Sequence, residues 1–211
     1  MMKIRRKRSL GNACCGMSAI LMLAIGAGCS VTQPSMQAHG AAGGSPQETL
    51  EKMRDYDRAG DFQSYVACMT DRGRGWLIAQ MANGLLMEAY DQPVNPNAGS
   101  GAQALVEKYG FSDLVQQIRQ LPAGSTQDDV YEYLADKYGP LLAEFLHDYK
   151  AINPPVFPAS YFIDSIGPGS DRVALTLSNP QYAGTQFANV KPTVYFVHMD
   201  GKWLMDGGDA N

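Results

Sequence analysis

The sequence predicts an α+β domain in which the helices come first and an antiparallel sheet comes last. Three observations favour this fold class. Apolar residues make up 45% of the 211 residues, which is enough to build a core. The spacing of apolar residues changes from the helical period of 3.6 to the strand period of 2 near the C-terminal end. Two of the alternating segments there are joined by Asp200-Gly201, a dipeptide typical of tight hairpins.

The first 29 residues predict an export signal. Lys3 to Arg8 form a basic segment, and Ala13 to Gly28 form an uncharged, mostly apolar run. A membrane-spanning helix needs about 20 apolar residues, so this run is short for a permanent anchor and typical of a signal peptide. An ordinary cleaved signal, an uncleaved anchor and a cytosolic protein are the alternatives. All of them except the cytosolic protein place the rest of the chain outside the cytoplasm.

The signal ends in Gly26-Ala27-Gly28 followed by Cys29. This ending resembles the bacterial lipoprotein signal, in which small residues precede a cysteine that is lipidated and becomes the mature N-terminus. The resemblance implies a lipid on Cys29 that anchors the protein to a bacterial membrane, inner or outer. A secreted or periplasmic soluble protein is the alternative.

The segment Ser30–Gly44 predicts a flexible tether, because it is rich in Gly, Ala, Ser and Gln and almost free of charge. From Ser30 onward, 12 basic residues face all 21 acidic ones. A body this acidic repels phosphate backbones, which disfavours nucleic-acid binding. Cys68 is the one cysteine of the body, which excludes an internal disulfide and a cysteine-based metal site. Its apolar neighbours predict a buried, inert thiol.

The folded domain is predicted to span residues 45–211, with a helical middle at about 71–155. Its helices are predicted from apolar spacing, capping residues and breakers. Ser45-Pro46-Gln47-Glu48 is a capping box that starts the first helix, which Gly60 ends, and Asp61 caps the second. Further helices are expected at about Gly75–Tyr90, Ala102–Tyr109, Ser112–Leu121 and Gln127–Ile152, with a loop at Asp91–Gly101. Ser125 or Thr126 caps the last helix, Gly139-Pro140 breaks or kinks it, and Asn153-Pro154-Pro155 stops it.

The C-terminal part predicts a curved antiparallel sheet of about four strands. The strands are expected at Tyr161–Ile166, Arg172–Ser178, Pro192–Met199 and Lys202–Asp206. The turn at Asp200-Gly201 sets the register, so His198 should oppose Trp203, Phe196 should oppose Met205 and Tyr195 should oppose Asp206. Apolar residues occur on both faces of this hairpin. We therefore expect both faces to be covered in part, with a pocket between the sheet and the helices.

Ala59-Gly60-Asp61-Phe62 lies between two predicted helices, and Asp200-Gly201-Lys202-Trp203 lies between two predicted strands. Together with their surroundings, roughly residues 45–70 and 160–208, these motifs resemble the NTF2-like (cystatin-like cone) superfamily. The resemblance implies a sheet that curves around a cone-shaped pocket, with a helical insertion here in the middle. The superfamily includes isomerases, dehydratases, hydrolases and proteins that only bind or assemble, so the fold leaves the activity open.

Motifs for metal, phosphate or nucleophilic chemistry are missing from the sequence. Only His147 and His198 lie in the predicted domain, and neither belongs to a metal-binding or nucleophile motif. We therefore predict no cofactor and no metal. Asp55 and Asp57 have the spacing of a calcium loop, but the later positions lack oxygen ligands. We interpret these two aspartates as part of a solvated helix face.

Four residues of the sheet are candidates for acid–base chemistry in a cone pocket, namely Asp164, His198, Tyr195 and Tyr161. Enzymes of the resembled superfamily typically place such a group in the cone. Asp164 is the strongest candidate, because a carboxylate among apolar neighbours has a raised pKa and can abstract a proton. Its alternative is a carboxylate that faces water or pairs with Arg172. The alternative for His198 is a half-exposed cross-strand partner of Trp203.

Three function classes follow. The first is a membrane-tethered, exported, non-enzymatic domain that binds a small ligand or a protein partner in the cell envelope. The second is an envelope assembly module that dimerises through its sheet. The third is a cone-pocket isomerase, lyase or hydrolase that uses Asp164 or His198. The absence of a matched acid, base and orienting group favours the first.

Overall fold

The structure, a computed structural model, describes residues 42–90, 99–152, 161–178 and 191–209. The predicted signal peptide with Cys29, most of the predicted tether, most of the predicted loop after Tyr90 and the proline stop at 153–155 lie outside the described residues. Within them the fold class is α+β, as predicted. The helices come first in the chain, and the four antiparallel strands come last.

The elements of the described residues follow the predicted order. The helices are α1 Pro46–Ala59, α2 Phe62–Val66, α3 Asp71–Tyr90, α4 Gly99–Tyr109, α5 Leu114–Arg119, α6 Gln127–Tyr138 and α7 Leu142–Ile152. The strands are β1 Phe162–Ile166, β2 Arg172–Ser178, β3 Thr193–Met199 and β4 Lys202–Asp209. Short 3-10 turns precede α5 and α7. The second turn contains Gly139-Pro140 and divides the long predicted helix, as expected for a proline inside a helix.

Side chains cap the helices largely as predicted. The Glu48 amide donates to Ser45 Oγ at 3.1 Å, whereas the Glu48 carboxylate accepts from the Gly44 amide and so completes only half of a capping box. The Ser64 amide donates to Asp61 at 3.1 Å, which starts α2. Helix α3 begins four residues before the predicted Gly75. The reason is Thr70, whose hydroxyl accepts from the Gly73 amide at 3.0 Å and satisfies an early donor of the helix.

The sheet has the strand order β1-β2-β3-β4, and one of its faces is buried against the helices. On this buried face, strands β2, β3 and β4 carry Val173, Leu175, Leu177, Val194, Phe196 and Met205, all at most 7% exposed. They belong to the same core cluster as Leu50 and Met53 of α1 and Trp76 of α3. Core side chains therefore fill the space where a pocket between the sheet and the helices was expected.

The opposite side of the sheet, called the outer face below, carries Arg172, Ala174 and Thr176 of β2 with Tyr195 and Val197 of β3. These residues are half-buried or exposed. The inner face is covered only in part as well, because His198, which lies on the same side of β3 as Val194 and Phe196, is exposed. The expectation that both faces are covered in part is therefore confirmed.

The hairpin register is as predicted near the turn and wrong beyond it. His198 opposes Trp203 and Phe196 opposes Met205, but Tyr195 opposes Gly207 instead of the predicted Asp206. Strand β4 continues three residues past its predicted end, and the pairing shifts between Tyr195 and Phe196. Asp206 is thus the extra residue of a β-bulge. Gly207 accommodates the bulge with a φ of 108°, a backbone conformation that favours glycine.

The last residues of the predicted tether lie against the outer edge of β4. The Trp203 amide donates to the Gly43 carbonyl at 3.2 Å, and the Gly43 amide donates to the hydroxyl of the buried Thr49 at 2.9 Å. The same hydroxyl donates to the Trp203 carbonyl at 2.8 Å. This edge of the sheet is therefore closed by the chain just before α1. Gly43, which belongs to the predicted tether, is therefore hydrogen-bonded to the folded domain.

Asp57 is buried, at 4% exposure, contrary to the interpretation of Asp55 and Asp57 as a solvated helix face. It lies on the helical stripe of α1 that also buries Leu50 and Met53, and its Oδ1 is 3.5 Å from Lys150 Nζ of α7. Asp55 is exposed, as predicted, and pairs with Arg58. Among the residues that the structure describes, no helix is both long and apolar enough to cross a bilayer.

Candidate functional site

The candidate site is an open hollow of about 370 Å³ on the outer face of the sheet. It is lined by Pro168, Arg172, Ala174, Tyr195 and Asp209. Ala174 of β2 is the cross-strand partner of Tyr195 in β3, and its small side chain leaves space beside the tyrosine ring. We call this feature the outer hollow.

The bulge in β4 places a carboxylate behind the outer hollow. The Asp206 side chain is only 14% exposed, and the Thr70 hydroxyl donates to its Oδ1 at 2.8 Å. Its Oδ2 lies 3.8 Å from Arg72 Nη1 and 3.6 Å from Arg172 Nη2. Bulges commonly re-aim a side chain in this way. The start of α3, the start of β2 and the bulge of β4 therefore meet at one carboxylate.

Arg172 presents its guanidinium group to the hollow. The group stacks over the Tyr195 ring, with 4.4 Å between the guanidinium carbon and the ring centroid, and half of the side chain is exposed. Within the described part of the chain, no acceptor is within hydrogen-bonding distance of this guanidinium. Stacking and the Asp206 charge orient the group, while its N–H donors remain available to a ligand.

Asp209 supplies the opposite charge at the hydroxyl end of the same ring. The Tyr195 hydroxyl donates to Asp209 Oδ2. This bond to a carboxylate raises the pKa of Tyr195, with a smaller contribution from burial, because it favours the neutral phenol. Among the described residues, no cation lies within ion-pairing distance of Asp209. Its second oxygen is therefore an acceptor that a ligand can use.

Arg72 supports the site from behind and is engaged on several sides. Its Nε is 2.8 Å from Asp128 Oδ1, its Nη1 donates to the Asp206 carbonyl, and its guanidinium lies over the Tyr131 ring. This arginine connects α3 and α6 to the bulge. Its role is to hold Asp206 in place, in contrast with the open guanidinium of Arg172.

Asp164 and His198, the predicted site residues of the sheet, lie away from the outer hollow. Asp164 is exposed in β1 and pairs with Lys191 Nζ at 2.8 Å. The alternative pairing of Asp164 with Arg172 is wrong, because Arg172 faces Asp206 instead. His198 is exposed, and its ring centroid is 5.1 Å from that of Trp203, which fits its predicted cross-strand role.

Among the four acid–base candidates, only Tyr195 lines the hollow. Tyr161 is partly buried against the core just before β1. Cys29, the predicted lipidation site, lies outside the described residues. Cys68 is buried as predicted, and burial raises the pKa of its thiol to about 12. No cluster of three or more metal-ligating side chains occurs in the described ranges.

Sequence reasoning missed Arg172, Asp206 and Asp209 as members of one site. A signal was present, because Gly207-Gly208 follows the alternating pattern of β4 directly, and glycine inside a strand often marks a β-bulge. Reading these glycines as part of the strand extends β4 to Asp209. The two aspartates then fall beside Tyr195.

A second open hollow, of about 270 Å³, lies between the start of α2 and α7 and includes Asp61, Phe62, Glu144 and His147. Its carboxylates are already engaged. Asp61 caps α2, and Glu144 is 2.8 Å from Lys108 Nζ. His147 is exposed, with its ring beside Phe62. The outer hollow is the stronger candidate because its charged groups retain free bonding positions.

Compared with protein-family models, the chain matches none. No match occurs among the curated proteins or the solved structures either. The candidate site therefore stands on the geometry of this chain alone.

Proposed function

We propose that this chain is exported, is held at a bacterial membrane by a lipid on Cys29, and acts there as a non-enzymatic binding domain of the NTF2-like type. The outer hollow is its binding site. The signal and the tether support the location, and the hollow supports the activity. One observation carries the proposal. The Arg172 guanidinium stacks on the Tyr195 ring, the Asp209 carboxylate accepts from the Tyr195 hydroxyl, and both groups keep hydrogen-bonding positions for a ligand.

The filled interior of the domain favours binding over cone-pocket catalysis. Phe196 and Met205 are fully buried where a cone pocket was expected, and Trp76 lies in the same core. Asp164 and His198 are exposed, so neither lies in surroundings that would shelter an acid–base step from water. The outer hollow instead holds its polar groups ready at the surface.

Fractionation of bacteria that express the full chain tests the location. We expect the wild-type protein in the membrane fraction and the Cys29→Ser variant released from it, because acyl chains supply the membrane affinity. Cys68→Ser is the matched control and should stay with the membrane. Equal behaviour of the Cys29 variant and the wild type would overturn the lipid anchor.

A thermal-shift survey of small charged and polar compounds on the full chain in detergent tests the activity. Compounds that stabilise the wild type should lose their effect on Arg172→Gln, because a ligand that binds the native state raises its apparent stability. Arg58→Gln is the matched control, since Arg58 also pairs with an aspartate but is exposed on α1. Hits that survive in Arg172→Gln would contradict the assignment of the hollow. Steady turnover of an ester, ketosteroid or epoxide that Asp164→Asn abolishes would contradict a non-enzymatic role.

One observation favours the second function class, dimerisation through the sheet. In the described residues β1 pairs only with β2, and its Phe162 and Ile166 are 56% and 50% exposed. An exposed edge strand with apolar side chains is a template for pairing with another chain. Sedimentation of the full chain in detergent tests this candidate. A dimer that Ile166→Asp dissociates, and that Val115→Asp on α5 leaves intact, would support it.

A further inference from the structure

The outer hollow contains two groups of opposite charge that share one tyrosine. The Arg172 guanidinium lies over the face of the Tyr195 ring, and the Asp209 carboxylate accepts from its hydroxyl. The two groups therefore lie over the face and at the hydroxyl end of one ring, and both line the outer hollow. A ligand that used both would need an anionic and a cationic group only a few atoms apart.

The arginine side of the hollow suits a carboxylate. A guanidinium presents planar N–H donors that match the two oxygens of a carboxylate, and such bonds are stronger than neutral ones. Among the described residues, the carboxylate that pairs with Arg172 is that of Asp206, at 3.6 Å, close enough to orient the guanidinium. Its Oδ1 is already occupied by the Thr70 hydroxyl.

The aspartate side suits an ammonium group. Asp209 uses one oxygen for the Tyr195 hydroxyl, and the other oxygen has no cationic partner among the described residues. An anion alone would bind Arg172 but would also meet the charges of Asp206 and Asp209. A cation alone would bind Asp209 but would meet the charge of Arg172. A ligand that carries both charges satisfies each group and avoids both repulsions.

We propose that the outer hollow binds a small zwitterion of the amino-acid class, with the ligand's carboxylate on Arg172 and its ammonium group on Asp209. The inference rests on the proposed function and adds the ligand class to it. The hollow, at about 370 Å³, has room for such a molecule. Pro168 and Ala174 are its apolar lining and leave a place for a short aliphatic side chain.

Calorimetric titration of the full chain in detergent tests this inference with matched probes. L-Alanine and β-alanine carry both charges at two separations. N-Acetyl-L-alanine lacks the ammonium group, and L-alaninamide lacks the carboxylate. We expect one of the two zwitterions to bind, and each blocked analogue of alanine to bind at least about tenfold more weakly than L-alanine or β-alanine, since each loses a charge-assisted hydrogen bond.

Two variants separate the two halves of the site. Arg172→Gln should weaken every probe that carries a carboxylate by at least about tenfold. Asp209→Asn, which keeps an acceptor for Tyr195, should weaken the zwitterions by a similar factor and leave N-acetyl-L-alanine within about threefold of its wild-type affinity. Arg58→Gln should change none of these affinities.

The outcomes distinguish this inference from the proposed function. Equal binding of the zwitterion and N-acetyl-L-alanine would overturn the inference in favour of a plain carboxylate site. Equal binding of L-alaninamide would overturn it in favour of a cation site at Asp209. Either result would leave the binding role of the hollow intact. Failure of both zwitterions, with a survey hit that depends on Arg172, would overturn the ligand class alone. Failure of every survey compound would overturn the proposed function as well.

Discussion

The two faces of the sheet have different roles, although neighbouring residues of the same strands form them. In β3, Val194 and Phe196 are fully buried, whereas Tyr195 and Val197, which alternate with them, are half-buried on the outer face. The inner face joins the core of the helices, and the outer face carries the charged hollow. Because alternate residues point to opposite faces, one strand can stabilise the fold and hold a polar site at once.

The two faces of the sheet should differ in how much substitution they tolerate. The inner face is close-packed, so each lost methyl group leaves a cavity. The outer face has space beside Ala174 and Tyr195, so its side chains are constrained by charge and hydrogen bonds more than by packing. The bulge at Asp206 and Gly207 is where the two faces meet, since it points Asp206 toward the site while Gly207 packs against Trp76.

The largest expected effect comes from Phe196→Ala on the inner face. We expect the free energy of unfolding to fall by about 3–5 kcal/mol, because the substitution removes a fully buried ring and leaves a cavity. Val197→Ala, the adjacent outer-face residue, should cost only about 1 kcal/mol. Urea denaturation of both variants measures the difference. Equal losses would mean that the outer face is covered as completely as the inner one.

The next effect comes from Gly207→Ala at the bulge. Gly207 has a φ of 108°, and an added Cβ would lie 2.8 Å from Arg72 Nη1 and 3.2 Å from Trp76 Cβ. We expect a loss of about 2–3 kcal/mol from backbone strain and close contact together. The variant should also shift Asp206 and weaken any ligand of the outer hollow.

Gly201→Ala in the hairpin turn is the matched control for this variant. Gly201 also has a positive φ, of 75°, but an added Cβ would have no neighbour within 4 Å. Strain alone should cost about 1–2 kcal/mol there, and ligand binding should be unchanged. If both variants lose the same stability and keep the same affinity, the bulge does not couple the two faces.

Short-range sequence patterns predicted the order of helices and strands. The outer hollow could not be predicted from them, because a bulge in β4 shifts the pairing of that strand. The change of apolar period, the capping residues and Asp200-Gly201 predicted the order of elements and the first pairs of the hairpin. Those signals depend on neighbouring residues in sequence, which is why they are readable. The meeting of Arg172, Tyr195, Asp206 and Asp209 depends on three strands and a bulge. Strict alternation placed Asp206 opposite Tyr195 and left Asp209 out of the strand.

Asp57 shows the same limit in a helix. Its acidic side chain alone predicts a solvated position, whereas its spacing from Leu50 and Met53 places it on the buried stripe of α1. The helical period was sufficient to place the residue. The contact with Lys150 could not be predicted in this way, because Lys150 comes from α7 and is brought to within 3.5 Å of the carboxylate only by the fold. Long-range partners of this kind explain why buried charges are harder to predict than apolar cores.

The smallest expected effect distinguishes two tyrosines, Tyr195 on the outer face and Tyr65 in the core. Both have a raised pKa, Tyr195 through its bond to Asp209 and Tyr65 chiefly through complete burial. In an alkaline titration followed by phenolate absorbance, we expect Tyr195→Phe to remove an ionisation that occurs before unfolding. Tyr65→Phe should leave that part of the curve unchanged, because a fully buried phenol ionises only when the core opens.

The same hydrogen bond sets the sign of a stability change with pH. The folded-state pKa of Tyr195 lies above the unfolded value of about 10. The contribution of its hydrogen bond to the free energy of unfolding is therefore fully present below pH 10, and it is lost as pH rises through the folded-state pKa. At neutral pH the free energy of unfolding of the wild type should exceed that of Tyr195→Phe by about 0.5–1.5 kcal/mol. This difference should shrink above pH 10. A gap that stays constant across that range would show that the Tyr195 hydroxyl does not titrate with the outer face. Tyr195 would then behave like the buried Tyr65, and the contrast between a polar outer face and an apolar inner face would not hold at this residue.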